Sequence, residues 1–141
     1  MSNFLPVHIK RLEEETGVLP VVNQIELHPY FPQTEAIAYH KNKGMLTEAW
    51  SPLGRGNDLL TNPIITEIAA KHSADPGQVV LSWTIARDAI PLPKAASPER
   101  QRVNLNAPSL ALNPIEIEAI TALGRPEGRT HDQDPAVYEE F

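Results

Sequence analysis

The run Val21-Val22-Asn23-Gln24-Ile25-Glu26-Leu27-His28 is fenced by Pro20 and Pro29. Its β-branched start and scarcity of solvent-face polarity read as a buried parallel strand. Side chains alternate along a strand, so Val22, Gln24, Glu26 and His28 share one face. Polar groups near the C-terminal end of an inward strand face are where (β/α) barrels build their sites. The same face would also suit a buried polar network that satisfies only itself.

Upstream, Leu5, Ile9 and Leu12 recur at helical spacing until Gly17, which predicts a helix over 6–16. Downstream, a helix runs from about Thr34 to Lys43, with Gly44 as its C′ residue, and Met45 to Trp50 forms a second strand. That strand breaks into the loop Ser51-Pro52-Leu53-Gly54-Arg55-Gly56. Asn62-Pro63, Asp75-Pro76, Ser97-Pro98 and Asn113-Pro114 each put an N-cap residue before a proline, marking four helix starts. Ala89-Ile90-Pro91-Leu92 supplies a third strand between the second and third of these helices. Asn113 and Glu116 have capping-box spacing, Ile117, Ile120 and Leu123 make a buried stripe, and Gly124 is expected to end that helix. From Arg125 to Phe141 no periodicity remains, and an irregular surface tail is expected.

Strands alternating with helices imply an α/β fold with a parallel sheet and right-handed crossovers, either doubly wound or a barrel. No Gly-rich dinucleotide fingerprint follows any strand, and with the polar strand face this favours the barrel. One domain, 1–141, is expected. A net charge of −6 and a pI near 5.3 argue against nucleic acid or an anionic membrane as partner. Any bound phosphate would therefore sit on a small ligand in a local basic pocket. No cysteine, signal peptide or membrane-length apolar run is present, so a cytoplasmic location is expected.

The stretch Pro93-Lys94-Ala95-Ala96-Ser97-Pro98-Glu99-Arg100 is suited to an anion: Ser97 caps a helix, Pro98 opens it, and Lys94 and Arg100 flank unpaired backbone N–H groups. Solvated surface charges are the alternative. His8, His28, His40, His72 and His131 lack paired metal-ligand spacing, so no metal site is expected, and no Gly-x-Ser-x-Gly elbow is present. Glu13, Glu14 and Glu15 read as a solvated helix face.

Ser2-Asn3-Phe4, Val22-Asn23-Gln24-Ile25-Glu26-Leu27-His28-Pro29, Ala49-Trp50-Ser51-Pro52-Leu53-Gly54, and Pro93-Lys94 with Arg100 and Asn104 resemble, in order and spacing, successive motifs of the aldo/keto reductase family. The closing Gly128-Arg129 and Asp134-Pro135 are similar to the tail of the branch containing 2,5-diketogluconate reductases. The resemblance spans essentially the whole chain. It implies the C-terminal half of a (β/α)8 TIM barrel, from the end of strand five through strand eight and the tail. It further implies that Ser2, Asn3 and Gln24 bind a nicotinamide carboxamide and that Trp50 stacks on the ring. Ser51, Leu53 and Gly54 would lie along the pyrophosphate, Lys94, Ser97 and Arg100 would hold a 2′-phosphate, and Asn104 would contact adenine, making the cofactor NADP(H). Ala95 stands where the family usually has Ser and Val103 where many members have Glu, so one hydroxyl and one adenine contact are absent.

The family's Tyr acid, with its Lys, Asp and His, lies before the Ser-Asn motif, and Tyr30, Tyr39 and Tyr138 stand in no equivalent position. No catalytic residue is therefore assigned within this chain. Two functions follow from the resemblance. One is the NADP(H)-binding half of an oxidoreductase that reduces aldehydes or ketones, sugar-like carbonyls among them, once an N-terminal half completes it. The other is a truncated, non-catalytic dinucleotide-binding or assembly module. In both, the exposed edges of a half-barrel are expected to promote self-association.

Overall fold

The computed structural model describes residues 1–130 and 134–137. Three parallel strands, β1 (Val22–Glu26), β2 (Leu46–Trp50) and β3 (Ala89–Pro91), lie side by side in that order. Gln24 is opposite Glu48, Glu26 opposite Trp50, and Glu48 opposite Ile90. Residues 1–3 add a short parallel edge beside β1: Gln24 N–H donates to the Met1 carbonyl at 2.9 Å, and Asn3 N–H donates to the Gln24 carbonyl at 2.8 Å. β1 is shorter than the sequence run because the chain turns at Pro29. His28 leaves the parallel ladder to pair with Phe31 across a tight turn.

Six α-helices accompany the strands: α1 (Pro6–Thr16), α2 (Thr34–Asn42), α3 (Pro63–His72), α4 (Pro76–Ala86), α5 (Pro98–Leu105) and α6 (Pro114–Thr121). All four proline-marked starts are capped as their sequences predict. The side chains of Asn62, Asp75, Ser97 and Asn113 accept from Ile64, Gly77, Arg100 and Glu116 N–H, respectively. Glu116 returns the bond by accepting from Asn113 N–H at 3.0 Å, which closes the capping box. The acidic run on α1 is paired: Glu13 with Lys43, Glu14 with Lys10 and Glu15 with Arg11.

The two faces of the sheet differ. Ile25, Ala49 and Ala89 pack under the helices with Ile65, Ile68, Val79, Val80, Trp83 and Ile120. On the opposite face Leu46 and Ile90 remain 53% and 45% exposed, so two large apolar side chains are uncovered there beside Glu48. Under the helices, Asn23, His40 and Thr47 form a buried chain of hydrogen bonds. Asn23 Nδ2 lies 3.0 Å from His40 Nε2, and His40 Nδ1 lies 2.9 Å from Thr47 Oγ1. Because the Asn23 amide donates, Nε2 accepts and Nδ1 carries the proton. Burial pushes the His40 imidazole below its usual pKa, which favours this neutral form. Asn23 also clasps the backbone of Phe4 at both N–H and C=O, and so anchors the segment that carries Ser2 and Asn3.

One expectation needs correction. α6 closes at Thr121, with Ala122 as its cap, rather than at Gly124. Gly124 is small for another reason: a Cβ there would lie 2.7 Å from Pro32 Cγ. The start of the tail is irregular, as expected, and is fastened to the sheet end. Arg125 N–H donates to the Tyr30 carbonyl at 3.1 Å, and its guanidinium sits 4.0 Å over the Tyr30 ring. Gly128 packs directly against the Tyr30 carbonyl, Arg129 lies 4.5 Å over the Phe31 ring, and Thr130 bonds to Glu26. His131 and Tyr138 lie outside the described residues.

Far from this end, Glu116 ties α6 to α3 through Lys71 Nζ at 2.5 Å and His72 Nε2 at 3.0 Å. Lys71 is the largest influence holding the Glu116 carboxyl down to about 2. A carboxyl lowered on folding contributes stability above its unfolded pKa and loses it as pH falls through the folded value. Glu116→Ala should therefore lower stability by about 2 kcal/mol near neutrality, through the lost cap and charge-assisted bonds. The deficit should shrink as pH falls from about 4.5 toward 2, as urea unfolding at several pH values would show. A deficit independent of pH would assign the loss to packing alone.

Candidate functional site

The C-terminal ends of β1 and β2 bring four polar side chains together. Trp50, the last residue of β2, is half-buried and donates from Nε1 to Asn3 Oδ1 at 2.8 Å. Gln24 Nε2 donates to Glu48 Oε2 at 2.9 Å, one register step deeper. Ser2 Oγ donates to the Gln24 carbonyl at 3.1 Å. Asn3 (φ 57°) and Ser51 (φ 49°) occupy the left-handed region, which is costly for residues with a Cβ and often marks sites where the chain must aim a group.

Behind them Glu26 is 1% exposed and His28 fully buried, with His28 Nε2 3.1 Å from Glu26 Oε1. Burial works to raise the Glu26 carboxyl, but hydrogen bonds from His28 and Thr130 outweigh it and hold it below its usual pKa. Thr130 donates to Glu26 Oε1 from its backbone N–H at 2.7 Å and also from its hydroxyl. The β1 face is thus divided. Glu26 and His28 form a buried pair that receives the tail on Glu26 Oε1 and leaves Glu26 Oε2 and His28 Nδ1 without a partner among the described residues, whereas Gln24 bonds to Glu48.

A cleft of about 610 Å³ lies between the loop after β2, the start of α4 and the start of α5. Leu53, Lys94, Ser97, Arg100 and Asn104 line it, as does Val103. Lys94 and Arg100 are exposed and take no ion-pair partner among the described residues. Ser97 Oγ accepts from Arg100 N–H at 3.2 Å, so its own O–H is left to donate outward. Gly54 is buried in the turn just behind Leu53 with φ 73°, where a Cβ would strike the Asn57 side chain. Ala95 is the one predicted residue of this segment that does not line the cleft. Its carbonyl is turned to α5, accepting from Gln101 Nε2 at 3.2 Å.

Sequence reasoning missed several contributors. Arg55 and Gly56 come from the loop, and Asp75, Pro76 and Gly77 bring the capped start of α4 to the cleft wall. The Asn-Pro and Asp-Pro pairs marked helix starts, but nothing in them said which start would face a ligand. Three cations, Arg55, Lys94 and Arg100, line the cleft against two carboxylates, Asp75 and Glu99, a local positive excess on a chain of net charge −6.

The family model of the Aldo/keto reductase family matches residues 1–125. The chain belongs to the aldo/keto reductase family. It is 46% identical to 2,5-diketo-D-gluconic acid reductase B of Corynebacterium sp., over 100% of this chain and 50% of that protein. It is 36% identical to morphine 6-dehydrogenase of Pseudomonas putida, over 100% of this chain and 53% of that one. Among solved structures, a mutant of Gox0644 in complex with NADPH superposes with a TM-score of 0.92 at 40% identity, covering 99% of this chain and 51% of that one. The aldo-keto reductase of Bombyx mori in complex with NADP gives 0.81 at 31% identity, covering 87% and 43%. This aldo/keto reductase chain spans about half the length of the relatives it matches. No helix among its described residues is long and apolar enough to cross a membrane.

Proposed function

We propose that this aldo/keto reductase chain provides the NADP(H)-binding half of a (β/α)8 barrel that reduces aldehydes or ketones, sugar-like carbonyls among them, to alcohols. The observation that carries the reading is the cleft itself: unpaired Lys94 and Arg100 at the capped start of α5, continuous with a small-residue loop. A terminal phosphate monoester suits that end, since two cations and the Ser97 hydroxyl are free to donate to it. Backbone around Leu53 and Gly54 suits the pyrophosphate, the flat Trp50 surface suits the nicotinamide ring, and Asn3 and Gln24 suit its carboxamide. The complexes of two relatives with NADPH and NADP support the same reading. Ala95 has no hydroxyl to add a further contact.

Reduced nicotinamide, when bound, supplies the hydride. This chain's residues bind and orient it, and none of the site residues is placed as the acid that must protonate the carbonyl oxygen. The acid would come from the rest of the barrel, facing the Trp50 end of β2. Without the rest of the barrel, exposed Leu46 and Ile90 and the β3 edge favour association between copies.

Titrating NADPH and NADH against the fluorescence of Trp50 and Trp83 tests the reading. Saturable binding with NADPH tighter by at least tenfold is expected. Equal affinity for the two would sink the 2′-phosphate assignment.

A further inference from the structure

Asn3 and Gln24 are amides with one acceptor oxygen and one NH₂ donor each, and either side chain can in principle turn end for end. Their neighbours on β2 remove that freedom. The indole N–H of Trp50 can only donate, so its 2.8 Å bond takes Asn3 Oδ1 and leaves Nδ2 uncommitted. The Glu48 carboxylate oxygen accepts, so its 2.9 Å bond takes Gln24 Nε2 and leaves Oε1 uncommitted. The two residues are neighbours in the main chain, since Asn3 N–H donates to the Gln24 carbonyl at 2.8 Å. Among the described residues Asn3 Nδ2 donates no hydrogen bond and Gln24 Oε1 accepts none. The two residues therefore leave one donor and one acceptor for a ligand. That pair complements a primary carboxamide, with its C=O and NH₂, and sets an oxygen against an oxygen if the ligand carries a carboxylate instead.

We propose that Glu48 is a positioning residue: by holding the NH₂ end of Gln24 it fixes the acceptor that reads a carboxamide and rejects the corresponding carboxylate. This rests on the nicotinamide reading of the site given above. Glu48 is half-buried and acts through Gln24, without touching the ligand.

The test measures binding of NADP⁺ and of nicotinic acid adenine dinucleotide phosphate, which differ only in that amide, to the full chain by equilibrium dialysis. The wild type should prefer the amide by about tenfold or more. Glu48→Gln keeps the shape, yet its amide can either donate or accept, so Gln24 can turn. The preference should fall to about twofold or less, while affinity for 2′,5′-ADP, which reports the other end of the site, stays the same. A direct repulsion between the Glu48 charge and the acid ligand would mimic this result, and Gln24→Ala separates the two. With Gln24 removed, Glu48→Gln should change the preference no further. An unchanged ratio in Glu48→Gln, or a full effect that persists beside Gln24→Ala, overturns the inference and leaves the cofactor reading standing. Failure of the wild type to bind either dinucleotide overturns the cofactor reading, and the inference with it.

Discussion

Replacing Lys94 and Arg100 together by alanine is expected to weaken NADPH binding by about 100-fold and to leave NADH binding within about twofold. The asymmetry follows from where the two cations stand. Both are exposed, line the same wall of the cleft and are unpaired among the described residues, so removing them breaks no structural ion pair. α5, which carries Arg100, buries none of its own residues, and its start is capped through the Arg100 backbone N–H, which alanine retains. The fold should therefore tolerate the double change, with a shift in stability of no more than about 0.5 kcal/mol. Each charge-assisted contact to a phosphate is worth about 1.5 to 3 kcal/mol when well placed and less when water competes. Two contacts at the low end of that range give the stated loss. Raising salt should reproduce part of the effect in the wild type and little in the variant. Equal loss of NADPH and NADH would place the two cations at the pyrophosphate rather than at a 2′-phosphate.

That pair was legible in the sequence because its signals are local. Ser97-Pro98 marks where a helix begins, and a short strand immediately before it delivers the cations to one spot. The same holds for the other proline-marked helices and for β1 and β2, whose edges came within two residues of their predicted limits. What sequence could not show depends on pairs distant along the chain. Glu48 looks like an ordinary strand carboxylate until the parallel register puts Gln24 opposite it. Asn3 gives no sign of its left-handed backbone, because that conformation is imposed by bonds to β1 and by Asn23 holding Phe4. Nor could sequence show that the Ala95 carbonyl is committed to Gln101 on α5. The irregular tail was legible as a segment lying on a surface, but not where it fastens: Gly128 against the Tyr30 carbonyl, two stacked guanidinium groups and Thr130 on Glu26 leave no periodic trace.

The second large effect is expected from Gly128→Ala. A Cβ at residue 128 would run into the Tyr30 carbonyl and its carbon, and both are backbone atoms of a buried turn that cannot give way. The tail must move instead. As it lifts, Arg125 loses its place over Tyr30, and Thr130 withdraws its backbone and hydroxyl donors from Glu26. Glu26 would then be a buried carboxylate with only His28 to satisfy it, and stripping partners from a buried charge costs about 3 to 5 kcal/mol. Part of that cost is relieved as the uncovered carboxylate meets water, so a net loss of about 2 to 4 kcal/mol is expected, read as a lower urea midpoint. Tryptic cleavage after Arg129 should quicken in parallel, since the tail no longer lies on the sheet end. Glu26→Gln supplies the decisive comparison. On its own it should weaken the attachment of Thr130, and combined with Gly128→Ala it should cost less than the sum of the two single changes, because both act on one contact. Strict additivity would mean that Gly128 and Glu26 stabilise the fold separately and that the tail is not latched through the carboxylate.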